Sequence, residues 1–213
     1  MIQLYSYFRS SASYRVRIAL ELKNIEYEYK PIHLVKSGGE QNLAEFKVLN
    51  PMGQVPCLVD DQMILSQSMA ILMYLDEKYP NPKILFGDLE LRSKMIQVSE
   101  MINSGIHPIQ NLSVLNEIQQ RFGLDSQGKS EWARYWIHRG FQAIEKVISE
   151  TAGEYAFGDE LCIADLMIVP QIYNAHRFEV DMAAFPILGK IEKNCLKLDC
   201  FKKAEPSAQS DAQ

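Results

Sequence analysis

Hydrophobic and polar positions alternate in two different rhythms along this chain. Up to about residue 82, short strand-like and helix-like pieces follow one another. Ile2–Tyr7 alternates as a strand, and Ser13–Leu22 places Val16, Ala19, Leu20 and Lys23 on one i, i+3, i+4 stripe. Tyr27–Leu34 alternates again, and a polar loop over Lys36–Gln41 follows. Cys57-Leu58-Val59 and Met63-Ile64-Leu65, split by Asp60-Asp61-Gln62, predict a hairpin. Ser68–Tyr79 predicts a helix, stopped by Pro80-Asn81-Pro82. Beyond residue 86 the strand rhythm disappears. A long helical pattern runs over Leu89–Gln120, with further helices predicted at Ser130–Thr151, Ala164–Arg177 and Pro186–Leu198. The expected plan is therefore two domains, α+β followed by all-α. A β-α-β-α-β-β-α unit spans 1–82, an all-helical domain spans 88–205, and 206–213 is a polar tail read as disordered.

Composition narrows the function classes. Hydrophobic residues make up 47% and charged residues 23%, a globular balance. The 22 Lys+Arg against 27 Asp+Glu leave a net charge of −5, without the clustered basic residues that a nucleic-acid surface needs. The longest apolar run, Met69–Leu75, falls far short of the roughly 20 residues that span a bilayer, so no membrane partner is expected. Cys57, Cys162, Cys195 and Cys200 show no CxxC spacing, and His33, His107, His138 and His176 are scattered. A reduced cytoplasmic protein with no bound metal is the expectation.

Three segments carry candidate chemistry. Phe8–Arg17 lies between the first strand and first helix, at the carboxyl end of a strand where α/β units bind ligands. One helix cap needs one hydroxyl, so with Ser11 or Ser13 as the cap, the remaining serines of the cluster Ser10, Ser11 and Ser13 are free for an anion site at the helix N-terminus. Asn50-Pro51-Met52-Gly53-Gln54-Val55-Pro56 precedes a strand. A cis Val55–Pro56 bond there would turn the Val55 N–H and C=O outward to pair with an extended peptide; plain loop-to-strand punctuation is the alternative. Ser66-Gln67-Ser68 opens the next helix and offers an amide, hydroxyls and helix N–H groups to a carboxylate, or simply a cap. Together these suit a short peptide bearing a thiol and a free α-carboxylate.

The combination resembles the glutathione transferases, and SYFRSSASYRVRIALELK resembles the zeta-class signature. NPMGQVPCL, QSMAILMYL, HPIQNLSVL, GDELCIADLMIVPQ and NAHRF continue the likeness over residues 2–202. The resemblance implies the glutathione transferase fold: a thioredoxin-like first domain followed by an all-helical one. It also implies a homodimer, a glutathione cofactor and a small dicarboxylic keto-acid substrate. Glutathione contacts carry over to Ser10, Ser11, Ala12, Ser13, Tyr14, Arg15, Gln41, Val55, Gln67 and Ser68, and in the helical domain to His107, Asn111, Leu112 and Ser113. Ser10, Ser11 and Arg15 take the catalytic places, and Arg9 and Arg177 the substrate-carboxylate places. Three residues depart from the family pattern: Ala12 stands for the signature cysteine, His107 for a glutamine, and Cys162 for the hydroxyl cap of the helix whose box Asp165 completes.

The implied reaction turns maleylacetoacetate into fumarylacetoacetate, a step of tyrosine and phenylalanine catabolism, by thiolate addition, bond rotation and elimination. A thiol of pKa about 8.5 must ionise near neutral pH. A hydroxyl donor contributes about 1.5–3 kcal/mol and a helix N-terminus about 0.3–1 kcal/mol, enough to bring the thiol to roughly 5.5–7. Ser10 is the expected donor, with Ser11 second. Tyr5 and Tyr7 share strand parity and read as packing residues. Arg17 points nearly opposite Arg15, away from the site. Transfer to α-haloacids or other small electrophiles and a non-catalytic interaction module are the competing readings. A thiol–disulfide reductase is disfavoured because no cysteine occupies the first-helix position.

Overall fold

The computed structural model describes residues 1–212, in two compact units: 1–83 with the segment from Leu196 onward, and 84–195. In the first unit, β1 (Ile2–Ser6), β2 (Tyr27–Pro31), β3 (Cys57–Asp60) and β4 (Met63–Ser66) form one sheet of order β2-β1-β3-β4. β1 and β2 pair in parallel, while β3 runs antiparallel to both β1 and β4. The hairpin turns through Asp61 at φ 53°, a left-handed conformation that aspartate tolerates. Ile2, Leu4 and Ser6 are the buried members of β1.

Helix α1 (Ser11–Leu22) is buried without a break from Ser11 to Leu20. A helix with one apolar stripe should leave its other face wet. Here α3 (Ser68–Lys78) packs on one part of it and α9 (Asp199–Ala204) on another. The sheath explains why Arg15 and Arg17 are both fully buried despite pointing apart. At its far end, buried Lys23 donates to Asp76 Oδ1 at 2.9 Å, the Tyr79 carbonyl at 2.7 Å and the Pro82 carbonyl at 2.6 Å. Helix α2 (Ala44–Leu49) precedes β3.

The segment from Leu196 corrects the sequence reading, which assigned 88–205 to the helical domain and read 206–213 as disordered. Tyr14 donates its hydroxyl to the Phe201 carbonyl at 3.4 Å, and Arg17 Nε donates to the Ala204 carbonyl at 2.8 Å. Asp211 accepts from the Phe8 N–H at 3.1 Å and the Tyr29 hydroxyl at 2.7 Å, while Ala212 packs against the cluster of Tyr7, Phe8, Phe46, Val55 and Cys57. Polar composition hid these bonds because each tail residue is held singly rather than by a periodic face. Residue 213 lies outside the described residues.

The second unit is helical: α4 (Leu89–Glu100), α5 (Leu112–Phe122), α6 (Ser126–Ile148), α7 (Ile163–Arg177) and α8 (Pro186–Cys195). The pattern expected as one long helix over 89–120 is interrupted. Met101–Ile106 widens to a π turn, with His107 N–H bonding the Ile102 carbonyl at 2.8 Å, and Asn111 starts a new helix. Gly140 on α6 lets this turn approach, since a Cβ there would lie 2.3 Å from the Ile106 side chain. Asp165 accepts the N–H groups of Cys162 at 2.9 Å and Ala156 at 2.8 Å, completing the box at the start of α7.

Candidate active site at one edge of the sheet

Strand directions gather the predicted residues of the first unit. β1 ends at Ser6, beside Pro31 at the end of parallel β2. β3 begins at Cys57, opposite Tyr5 and opposite Ser66 at the end of β4. The segments after β1, β2 and β4 and the segment before β3 therefore leave from the same edge. They carry Ser10–Arg15, Gln41, Gln67–Ser68 and Val55–Pro56 respectively.

The N-cap of α1 is Ser10, which corrects the assignment of that role to Ser11 or Ser13. Its Oγ accepts the Ser13 N–H at 3.2 Å with extended backbone angles. Capping uses a lone pair and leaves the hydroxyl proton to donate. A half-buried alcohol thus sits where the helix dipole is most positive. Ser11 and Ala12 follow as the first helical residues, buried at 2% and 8% exposure.

Ser13, Tyr14 and Arg15 are buried; Arg15 Nη1 donates to Ser68 Oγ at 2.9 Å, so Arg15 ties α1 to the start of α3. The Arg15 guanidinium is fully buried. Tyr7 packs among Phe8, Phe46, Val55 and Cys57, in line with its packing assignment. Burial pushes the Cys57 thiol up to about 11, so it is an inert thiol.

Two local conformations stand out along this edge. The Val55–Pro56 bond is cis, and neither the N–H nor the C=O of Val55 enters a backbone hydrogen bond among the described residues. Gln67 holds φ 73° and ψ 112° directly before α3, a region non-glycine residues rarely occupy and one that recurs at ligand clamps. Gln41 donates to the Leu34 carbonyl at 3.2 Å, while its Oε1 is buried with no partner, an acceptor suited to a ligand N–H. A thiol-bearing peptide with a terminal carboxylate fits this donor and acceptor set.

The remaining predicted residues lie in the second unit. Asn111 caps α5, its Oδ1 accepting the Ser113 N–H at 3.0 Å and the Ser113 hydroxyl at 2.9 Å. Leu112 is exposed, and His107 closes the π turn. Exposed Arg177 ends α7, lying 5.8 Å over the Tyr173 ring and donating to Asn174 Oδ1 at 3.3 Å. In the first unit Arg9 is exposed, 5.8 Å over Phe8. Asp211 and its partner Tyr29 escaped sequence reasoning; a lone acid in a polar tail gives no signal. Among the described residues no helix is long and apolar enough to cross a membrane, and no group of His, Cys, Asp and Glu gathers to hold a metal.

Known proteins share this sequence and fold. Residues 1–77 match the family model for the glutathione S-transferase N-terminal domain. Mouse (Mus musculus) maleylacetoacetate isomerase is 47% identical over 98% of this chain and 94% of its own length. A holo structure of maleyl pyruvate isomerase, described as a bacterial zeta-class glutathione S-transferase, superposes with TM-score 0.96 at 38% identity, covering 99% of this chain and 100% of that one. The maleylacetoacetate isomerase of Anaeromyxobacter dehalogenans 2CP-1, solved with glutathione in its active site, gives TM-score 0.89 and 40% identity over 100% and 98% of the two chains.

Proposed function

Because the chain belongs to the zeta class of glutathione transferases, we propose that it catalyses the glutathione-dependent cis–trans isomerisation of maleylacetoacetate to fumarylacetoacetate. The observation that carries this reading is the capping geometry of Ser10: its Oγ is anchored by the Ser13 N–H, and its proton is free at the positive end of α1. When bound, glutathione supplies the thiolate that adds to the conjugated alkene and leaves after rotation. Ser10 and the helix N-terminus hold that sulfur's charge. Val55 presents its backbone to the peptide, Gln41 accepts an N–H, and Gln67 and Ser68 receive a carboxylate at the start of α3. Exposed Arg9 offers a guanidinium fork to a carboxylate of a small keto-acid substrate. Ala12 does not impair this arrangement, since the hydroxyl and dipole already supply roughly 2–4 kcal/mol.

A second substrate reading, maleylpyruvate, is favoured by the TM-score of 0.96 to the maleyl pyruvate isomerase. In both substrates a cis double bond lies between a carboxylate and a ketone, and both require the same chemistry. The test is turnover of each, with and without glutathione, followed by loss of the conjugated cis chromophore. Glutathione-dependent turnover of maleylacetoacetate above that of maleylpyruvate supports the leading reading, and the reverse order supports the second. Tight glutathione binding without turnover of either supports a non-catalytic module. We further place the enzyme in the cytoplasm, as a homodimer acting in tyrosine and phenylalanine catabolism. His107, Asn111, Leu112 and Ser113 are the residues through which a partner subunit's helical domain would meet glutathione. The free state of all four cysteines is compatible with a reducing compartment.

A further inference from the structure

The sheet ladder of β1 stops at Ser6, whose carbonyl takes the Ile32 N–H at 2.7 Å. Tyr7, Phe8 and Arg9 then have no strand partner, yet Tyr7 and Phe8 are buried and their backbone groups need partners. The Tyr7–Ser10 turn closes on itself through the Ser10 N–H and the Tyr7 carbonyl at 3.0 Å. Beyond that bond and the Tyr14 N–H on the Ser10 carbonyl at 2.9 Å, two side chains from outside the turn hold it. Arg17 donates to the Tyr7 carbonyl at 3.3 Å and the Phe8 carbonyl at 3.1 Å. Asp211 accepts the Phe8 N–H at 3.1 Å through one carboxylate oxygen and the Tyr29 hydroxyl at 2.7 Å through the other. Arg17 reaches the same terminal segment through the Ala204 carbonyl at 2.8 Å.

We propose that Asp211 is a positioning residue for Ser10: its carboxylate, buttressed by Tyr29, fixes the Phe8 amide and so the turn that sets where the Ser10 hydroxyl stands. The inference rests on the thiolate role given to Ser10 above. A charged acceptor for a backbone N–H is a strong hydrogen bond. Its loss leaves the Phe8 amide without its Asp211 acceptor and removes a carboxylate whose charge acts on the buried Arg17 that spans the turn. The first consequence is a shift of Ser10 Oγ relative to the sulfur, because a donor displaced by a few tenths of an ångström loses alignment.

The test is the pH profile of kcat/KM for glutathione-dependent isomerisation in Asp211→Ala, Asp211→Asn and Tyr29→Phe, with Tm measured alongside. In Asp211→Ala the acidic limb is expected to move up by about one pH unit. The rate then falls about tenfold below the wild-type midpoint and recovers at alkaline pH, where the thiol ionises unaided. Asp211→Asn keeps an oxygen for the Phe8 N–H and should move the limb by less, and Tyr29→Phe by less again. A uniform loss at every pH, or an unmoved limb with only a lower Tm, overturns the proposal by making Asp211 purely structural. If Asp211→Ala does not accumulate folded, the asparagine variant decides: an upward limb supports the role and an unmoved limb overturns it. Failure of the underlying reading is separately visible, since wild-type protein would then show no glutathione-dependent turnover at all.

Discussion

Replacing Ser10 separates two jobs that one side chain performs. The Oγ caps α1 by accepting the Ser13 N–H at 3.2 Å, and the hydroxyl proton is assigned to the sulfur of glutathione. Ser10→Ala removes both. Loss of the cap costs about 1 kcal/mol, or about 2–4 °C in Tm for a chain of this size. Loss of the donor costs about 1.5–3 kcal/mol, which raises the bound thiol by about 1–2 pH units. Ser10→Gly isolates the second effect, because glycine caps nearly as well as serine, to within a few tenths of a kcal/mol. Ser10→Asp keeps the cap but places a carboxylate beside the sulfur, so this variant should be as stable as wild type and the least active of the three. The assay is isomerisation rate between pH 5 and 9 together with thermal unfolding. The expected pattern is a lower Tm for alanine alone and an acidic limb moved up in all three. A glycine variant with the wild-type profile would refute the assignment, and a limb moved instead by Ser11→Ala or Tyr7→Phe would name the true donor.

Other outcomes follow from buried charge and from Ala12. Burial pushes the Asp165 carboxyl up to about 6, against the opposing pull of the Cys162 and Ala156 N–H donors. A raised folded-state value gives stability that is present below about pH 4 and lost as pH rises through 6. The lead of wild type over Asp165→Asn should therefore shrink by about 2–3 kcal/mol across that window, read from paired denaturation curves; a lead that grows would mean the N–H donors win. Asp76→Asn leaves the buried Lys23 ammonium without its counter-charge and should cost about 3–5 kcal/mol in the same measurement; a loss under 1 kcal/mol would show the Tyr79 and Pro82 carbonyls suffice. Ala12→Cys restores the signature cysteine and should leave the pH profile of turnover unchanged; a limb moved down would give that thiol a share in the site.

The strands and the site edge were legible because their signals are local. Asp60-Asp61-Gln62 between two apolar triplets specified the hairpin, and its register then brought Val55 and Gln67 to the end of β1. The 100° turn per residue correctly set Arg15 against Arg17, but it could not show that α3 and α9 cover both faces and bury both guanidiniums. The break after Glu100 was hidden because the apolar period continues while the hydrogen bonds lengthen to a π turn. Asp211 was illegible for a different reason: its partners stand 203 and 182 residues away, and no period or motif links them. The choice of Ser10 as cap depended on where β1 lets go of the sheet, which fixes the helix start at Ser11, two residues before the start expected at Ser13.

The most direct measurement is a spectroscopic titration of glutathione bound to the unaltered protein, following thiolate absorbance against pH. A midpoint of about 5.5–7, well below the roughly 8.5 of a free thiol, is the predicted result. A bound sulfur that titrates as it does in buffer would contradict the claim that the Ser10 hydroxyl and the start of α1 hold its charge.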